Sequence, residues 1–271
     1  MTLAEKKKAL LDKAAEGYRF DDLISVVEVL RSEEGCPWDR EQDHKSIRKD
    51  LIEETYEVIE AIDTENTELL REELGDVLLQ VVFHAQIEAE KNVFTVDDVA
   101  NDICVKLIHR HPHVFGDVEA DTSEKVLSNW EKIKSEEKER VTVTDKLRAI
   151  PPMLPALMRA QKVGKKASCF DFPDSLSVMD KIYEELDELR VAIDKKDSDN
   201  IAEEMGDLLL TITSLARKLG VDSEEALARA TDKFIDRFEQ VENAVISEEK
   251  NIIELSMIEL DAIWDKNKQK S

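Results

Sequence analysis

The sequence predicts an all-α protein built as a tandem repeat, and three observations carry that prediction. Glycine (7) and proline (6) are scarce among 271 residues. Glu, Lys, Leu, Ala and Ile abound, so helix formers are everywhere and the turn residues that hairpins require are few. Apolar residues recur at helical spacing through both halves of the chain. Finally, EELGD (72–76) returns as EEMGD (203–207), 131 positions later.

The first amphipathic run covers about Leu23 to Leu30, and the EGCPWD break (34–39), with Pro37, ends it. A second helix starts near Ser46 and a third runs from Leu69 to about Glu90. A fourth spans Val96 to about His111, where Pro112 stops it, and a fifth spans about Ser123 to Arg140. Segment 141–175 carries four of the six prolines, Pro151, Pro152, Pro155 and Pro173, around one short helical piece, and reads as a connector. The pattern then resumes, which divides the chain into a first repeat (1–140), the connector (141–175) and a second repeat (176–271).

The repeat extends well beyond one motif. A shift of 131 positions lays EETYEVIEAID (53–63) on EELDELRVAID (184–194). With a gap of about four residues, KLIHR (106–110) falls on KFIDR (233–237), and Trp130 and Lys134 fall on Trp264 and Lys268. The chain has only three tryptophans, so a WxxxK pair closing each half marks a duplication.

A formal net charge of -24 argues against a broad nucleic-acid surface or an anionic-membrane surface, since phosphates are held by clustered Lys and Arg. Any anionic ligand must be held by a local device. The three cysteines, Cys36, Cys104 and Cys169, form no CxxC pair, so neither a disulfide framework nor a cysteine zinc site is expected. The opening MTLAEKKKALLDKAAEG has no apolar signal core, and no run reaches the roughly 18 apolar residues of a membrane span. A soluble cytoplasmic protein is the expectation.

Each repeat carries the pattern E-x-x-E, a gap, then E-x-x-D: Glu54, Glu57, Glu73 and Asp76 first, Glu185, Glu188, Glu204 and Asp207 second. Residues three apart share a helix face, so antiparallel packing of the two helices brings four carboxylates together. Glu54 shares a stripe with Leu51 and Val58, and Glu73 with Leu69 and Val77, so these acids lean toward the core. Unpaired buried charge is costly, and the natural partner is a hard divalent ion; Mg²⁺ suits carboxylate oxygens. Gly75 and Gly206 cost roughly 1 kcal/mol each against alanine within a helix; such a glycine permits close approach by another backbone or a ligand, and here reads as space beside the metal. A chain with 62 acidic residues makes i,i+3 acid pairs by composition alone, but duplication of the whole spacing argues against that reading.

Lys106 with Arg110, and Lys233 with Arg237, sit at i,i+4 on one helix face, where they can neutralise a polyphosphate; a solvated face is the plainer account. Trp130 with Lys134, and Trp264 with Lys268, offer an aromatic plane and an ammonium one turn apart, suited to a base and a phosphate, although core packing also uses tryptophan. His109, His111 and His113 in HRHPH straddle a helix end and suit capping or packing better than zinc. A di-iron carboxylate centre needs Glu-x-x-His pairs, whereas the repeated acids here run E-x-x-E and E-x-x-D, so redox iron is not expected, and no Walker lysine loop is present.

Together GCPWD (35–39), EETYE (53–57), EELGD, RHPHVFGD (110–117), LPALMRAQKV (154–163), YEELDEL (183–189), EEMGDLL and Trp264 resemble MazG, the all-α nucleoside triphosphate pyrophosphohydrolases, over nearly the whole chain. The resemblance implies tandem helical bundles completed by homodimerisation. It also implies hydrolysis of NTPs or dNTPs between the α and β phosphates to NMP and pyrophosphate, with Mg²⁺ or Mn²⁺ in its place, in a nucleotide-pool sanitising or regulatory role. Carried over by residue, it gives the metal ligands as Glu185, Glu188, Glu204 and Asp207, and the nucleotide contacts as Lys233, Arg237, Trp264 and Lys268. The first-repeat equivalents are Glu54, Glu57, Glu73 and Asp76, with Lys106, Arg110, Trp130 and Lys134. Glu185 is expected to orient the attacking water, and the second repeat is the expected catalytic one. SCFDF (168–172) departs from the GFDW-like segment of relatives, at the expected wall of the nucleotide pocket. The competing account is a non-catalytic helical dimer that binds nucleotide or protein, against which the intact acid quartets argue.

Overall fold

The computed structural model of the chain describes residues 2–118, 121–137, 142–248 and 250–268. Among them fourteen α-helices and two 3₁₀ turns make up the regular structure, and there is no strand. The chain divides into two compact units, Met1–Lys134 and Ser135–Ser271.

The first unit contains α1 (Leu3–Asp12), α2 (Phe20–Arg31), α3 (Pro37–Glu41), α4 (Arg48–Asp63), α5 (Thr67–Glu90), α6 (Val96–Arg110) and α7 (Pro112–Phe115), and α8 (Ser123–Glu137) crosses its boundary. The predicted helix end at Arg140 lies outside the described residues. Helix α1 escapes the periodicity reading because it buries no residue. It is held by a capping box instead: Thr2 accepts from the Glu5 backbone N–H, and the Glu5 side chain accepts from the Thr2 N–H. Pro37 and Pro112 each open a short helix, α3 and α7, after ending the preceding element, since the missing N–H is no loss at a first helical turn.

Val27, Ile47, Val82, Phe83 and Ile87 form the core of this unit, where α2 packs on α5. Each such side chain contributes roughly 1.5–3 kcal/mol by leaving water. Arg31, only 8 % exposed, ties the GCPWD segment to that core. Its Nε and Nη2 donate to Glu90 at 2.7 and 2.9 Å, and its Nη1 donates to the Asp39 and Gln42 carbonyls at 2.6 and 3.1 Å. The guanidinium also lies 5.0 Å from the Phe83 ring centroid. Arg31→Met keeps much of the stem but leaves Glu90 and two carbonyls without their donor. It is expected to cost about 3 kcal/mol, read as a lower urea midpoint with unchanged slope.

A second tie fastens the chain before α4. His44 and His84 approach with Nδ1 atoms 2.7 Å apart, and His44 Nε2 lies 2.6 Å from Glu88. The ring planes are 13° apart with centroids 5.0 Å apart, the edge-to-edge geometry of an in-plane N–H···N bond. Burial, then the neighbouring His44, holds His84 below the usual histidine range. The matched positions of the second repeat, Ser175, Leu215 and Leu219, cannot form this chain.

The second unit contains α9 (Val143–Arg148), α10 (Ala156–Lys166), α11 (Ser175–Lys195), α12 (Ser198–Lys218), α13 (Ser223–Ser247) and α14 (Met257–Lys268). The Pro-containing segment folds with it: α10 packs against α12 and α13. Gln161 accepts from Ser223 N–H at 3.1 Å and donates to the Val221 carbonyl at 2.7 Å, which fastens α10 to the α12–α13 corner. Asp171 accepts from Arg217 in bidentate fashion (3.0 and 2.5 Å) and pairs with Lys218 at 2.8 Å. These cations hold its carboxyl well below the usual carboxylate range. What reads as a connector is thus anchored by side chains within α10 and just after it.

Both units leave large apolar side chains in water. Ile52, Tyr56 and Ile59 on α4, Leu74 on α5, Tyr183 and Leu186 on α11, and Phe234 and Ile235 on α13 are all exposed. No helix among the described residues is long and apolar enough to cross a membrane.

Candidate functional site

The two repeats build the same helical hairpin. Helices α4 and α5 join through a three-residue turn in which Glu65 takes a left-handed φ of 52°, and Asn66 caps α5 by accepting from Leu69 N–H at 3.1 Å. Helices α11 and α12 join through Lys196, with φ 55°, and Asp197 caps α12 from the matched position. So short a turn forces the helices antiparallel, and the E-x-x-E face of one meets the E-x-x-D face of the other.

Three acids of each quartet converge. Carboxylate oxygens of Glu54, Glu57 and Glu73 all lie within 4.8 Å of one another, and the same holds for Glu185, Glu188 and Glu204. Glu73 (9 % exposed) and Glu185 (5 % exposed) are buried, while Glu54, Glu57 and Glu204 are half-buried. Asp76 and Asp207 stand outside these tight trios but act on them electrostatically.

Crowding shows in the protonation equilibria. Burial, then the charges of Asp76 and Glu57, pushes the Glu54 carboxyl up to about 7. Glu73 is raised by burial and then Glu57, and Glu204 by burial and then Glu188 and Glu185. Carboxyls move this way when neighbours of like charge have no cation among them.

Sequence reasoning passed over Lys181. Its Nζ lies 2.7 Å from Glu184 and 2.9 Å from Glu185, and the two carboxylates hold the ammonium above its usual range. The matched residue of the first repeat is Asp50, so one trio has a cation on its flank where the other has a further acid. The i,i+4 spacing of Lys181 and Glu185 was the available signal.

A cleft of about 450 Å³ opens on the second trio, lined by Glu184, Asp187, Glu188, Val191, Asn200 and Glu204. That volume lies within the range of small-molecule sites. Lys233, Arg237 and Trp264 are not among its lining residues.

The basic and aromatic residues form groups of their own. In the first unit Arg110, 6 % exposed, sits 5.2 Å from the Trp130 centroid, and Lys134 Nζ sits 4.3 Å from it. Lys106 on the same helix is exposed. In the second unit Trp264 packs on Phe234 of α13, centroids 5.3 Å apart, next in sequence to the exposed Lys233 and one turn from the half-buried Arg237. The Lys268 side chain lies outside the described residues. His111 Nδ1–H donates to the Leu107 carbonyl at 2.6 Å, the capping contact expected of the HRHPH stretch.

The helical glycines leave space beside the acids. A Cβ built on Gly75 or Gly206 would meet nothing within 4 Å, so no backbone among the described residues presses on either helix there. The missing side chains leave open space beside each E-x-x-D pair, not a packed helix crossing.

The family profile described as "MazG nucleotide pyrophosphohydrolase domain" matches residues 42–115 and 174–242, more than half of the chain and one segment in each repeat. Among proteins similar to this one, the "Nucleoside triphosphate pyrophosphohydrolase/pyrophosphatase MazG" of Thermotoga maritima is 46 % identical over 254 residues, covering 93 % of this chain and 96 % of the relative. The "Nucleoside triphosphate pyrophosphohydrolase" of Escherichia coli K12 is 42 % identical over 256 residues, covering 93 % and 97 %. A Bacillus subtilis protein named YabN, described as uncharacterized, is 40 % identical over 255 residues, and the match fills 52 % of its length.

Proposed function

The chain belongs to the MazG nucleotide pyrophosphohydrolase family, and from that membership we propose that it hydrolyses nucleoside triphosphates and their deoxy forms between the α and β phosphates. Water adds to the α phosphorus, the bond to the bridging oxygen breaks, and NMP and pyrophosphate leave. The observation that carries this reading is the convergence of Glu185 with Glu188 and Glu204, the latter two lining a nucleotide-sized cleft.

The donor set fits a hard divalent ion. It offers carboxylate oxygens only, crowded enough to raise Glu204 until a cation relieves them. Glu185, Glu188 and Glu204 would hold Mg²⁺, with Asp207 beside them and Mn²⁺ able to substitute. Bound there, the ion would supply neutralisation of phosphoryl charge. Glu185, fixed by burial and by Lys181, is assigned to orient the attacking water. Lys233 and Arg237 are assigned to offset charge on the leaving pyrophosphate, and Trp264 with Lys268 to hold the base and a phosphate.

A homodimer completes this reading. The basic pair on α13 does not line the acidic cleft, and the exposed apolar residues of α4, α5, α11 and α13 need a cover that a second copy supplies. We place the enzyme in the cytoplasm, where three free thiols, Cys36, Cys104 and Cys169, are at home.

The test is release of pyrophosphate and orthophosphate from a panel of NTPs and dNTPs, with Mg²⁺ and with chelator. Pyrophosphate without orthophosphate, in the Mg²⁺ arm alone, is the expected result. Orthophosphate as the first product would move the cleaved bond to the γ phosphate. Binding of nucleotide without turnover would favour the non-catalytic module.

A further inference from the structure

The His44–His84 tie has no part in that chemistry and no counterpart in the second repeat, where Ser175, Leu215 and Leu219 occupy the matched positions. Its place in the first repeat is mechanically useful. The α4–α5 hairpin is closed at one end by its three-residue turn, and at the other the histidine pair fastens the chain entering α4 to the last turns of α5. Glu54, Glu57 and Glu73 lie between these two closures.

The partners fix where the hydrogens sit. Lys91, then His44, hold Glu88 below the usual carboxylate range, so Glu88 is an acceptor only. It accepts from Lys91 at 2.6 Å and from His44 Nε2–H at 2.6 Å. His44 Nδ1 is then a lone pair, and the 2.7 Å contact needs its hydrogen on His84 Nδ1. His84 Nε2 forms no hydrogen bond with a described residue. One added proton can settle on that atom and leave the N–H···N bond intact. Gln80, one turn earlier on the same face, is buried with its Oε1 unpartnered among the described residues, and offers that new N–H an acceptor. A second proton has only His44 Nδ1 left to it, and there it sets N–H against N–H and two like charges across 2.7 Å.

We propose that His44 and His84 form an acid-operated latch on the first repeat: one shared hydrogen holds the open end of the hairpin shut, and the second added proton releases the 42–46 turn from α5. Burial, then His44, holds His84 below the ordinary histidine value of 6.5, so release falls on the acid side of it. The latched pair binds fewer protons than the released one, so its contribution is complete above about 6.5 and is lost as pH falls below that value. Facing the pair are Glu88 and Lys91 at the end of α5, Asp43 and Lys45 beside His44, and, from α2, Arg31, which is committed to Glu90. Helix α6 meets this part of the core through apolar Val96, while its Asp98 is held in the helix cap by Thr95. On α4, Glu54 also gains a proton below about 7, but that relieves repulsion inside the hairpin and does not part it. The released turn is short, so the effect is read in its own amides and not in the melting temperature.

The full chain, in chelator and with isotope-labelled histidine, provides the test. Long-range proton–nitrogen spectra, assigned with His44→Gln and His84→Gln, should show His84 as the Nδ1–H tautomer and His44 as the Nε2–H tautomer at neutral pH, then two coupled protonation steps on acidification. Amide exchange, corrected for its intrinsic rate, should lose about tenfold in protection over residues 42–47 between about pH 7.5 and about pH 5. His44→Gln changes a half-buried side chain at the edge of the unit and should keep the helical circular dichroism of wild type. Its 42–47 segment should be as weakly protected at neutral pH as wild type is in acid, with no further loss on acidification. Glu54→Gln should keep the wild-type acid response, which separates the latch from the acid trio. The proposal falls if the two histidines titrate independently, or if His84 is the Nε2–H tautomer at neutral pH. It also falls if His44→Gln protects 42–47 as well as wild type does, and an acid response that persists in His44→Gln would assign the opening to the carboxylates instead.

Discussion

Glu185→Gln is expected to lower Mg²⁺-dependent pyrophosphate release by about 10²–10³-fold, the scale of several kcal/mol of lost transition-state stabilisation. The substitution preserves size and one acceptor oxygen, removes the charge, and puts an amide where the trio gathers oxygens within 4.8 Å. Removing one of three crowded charges relieves repulsion in the apo protein, so loss of activity will not reflect unfolding. Lys181 keeps Glu184 as its partner at 2.7 Å. The paired measurement is Glu54→Gln, expected to retain activity within about threefold because it changes only the first trio. If Glu54→Gln abolished release and Glu185→Gln did not, the site would belong to the first repeat. Parity of both with wild type would remove the acid trios from the reaction.

The second large effect concerns stability, pH and cations, and it belongs to the first repeat. Glu54 has its carboxyl pushed up to about 7, against an ordinary value of 4.5. The folded state therefore holds more protons than the unfolded chain between those values, and stability falls as pH rises across that window. The contribution is complete below about 4.5, is lost as pH climbs through about 7, and leaves the ionised trio strained above it. Glu73, raised by the same neighbours, acts in the same direction. With allowance for solvent screening at a half-buried group, the loss is about 1–2 kcal/mol, a few degrees in Tm.

A divalent ion should restore that stability above pH 7 and do little at pH 5, where protons already occupy the trio. Thermal melts at both pH values, with chelator and with Mg²⁺ or Mn²⁺, measure it. Glu54→Gln should raise the melting temperature of the apo protein at pH 8 and shrink the cation-induced shift. A melting temperature indifferent to pH and to cations would remove the first trio as a cation site.

These predictions draw on different layers of information. The fold class was legible because nearly every helix of the hairpins carries a 3.6-residue apolar stripe, and because the second half repeats the first in its acids, bases and tryptophans. The convergence of Glu185, Glu188 and Glu204 was legible for a related reason: residues three apart must share a face, and a short turn must return the next helix antiparallel. Helix α1 was invisible to the same approach, because it is stabilised by caps and ion pairs and not by burial. The placement of α10 was likewise hidden, since prolines mark where helices end but not where the intervening piece docks. Its anchors, Gln161 on the α12–α13 corner and Asp171 on Arg217, join residues about 45 to 60 positions apart.

What the sequence by itself determined is the helices of the two hairpins, the duplication and the set of chemically able residues, because those depend on spacing along a helix of known pitch. Tertiary structure alone decided which acids become buried, that Asp76 and Asp207 stand outside the tight trios, and that the helical glycines face open space. It also set Lys181 against Glu185. Those outcomes depend on distances between side chains on different turns and different helices, and on how far each is removed from water. A linear pattern constrains neither until the helices have packed.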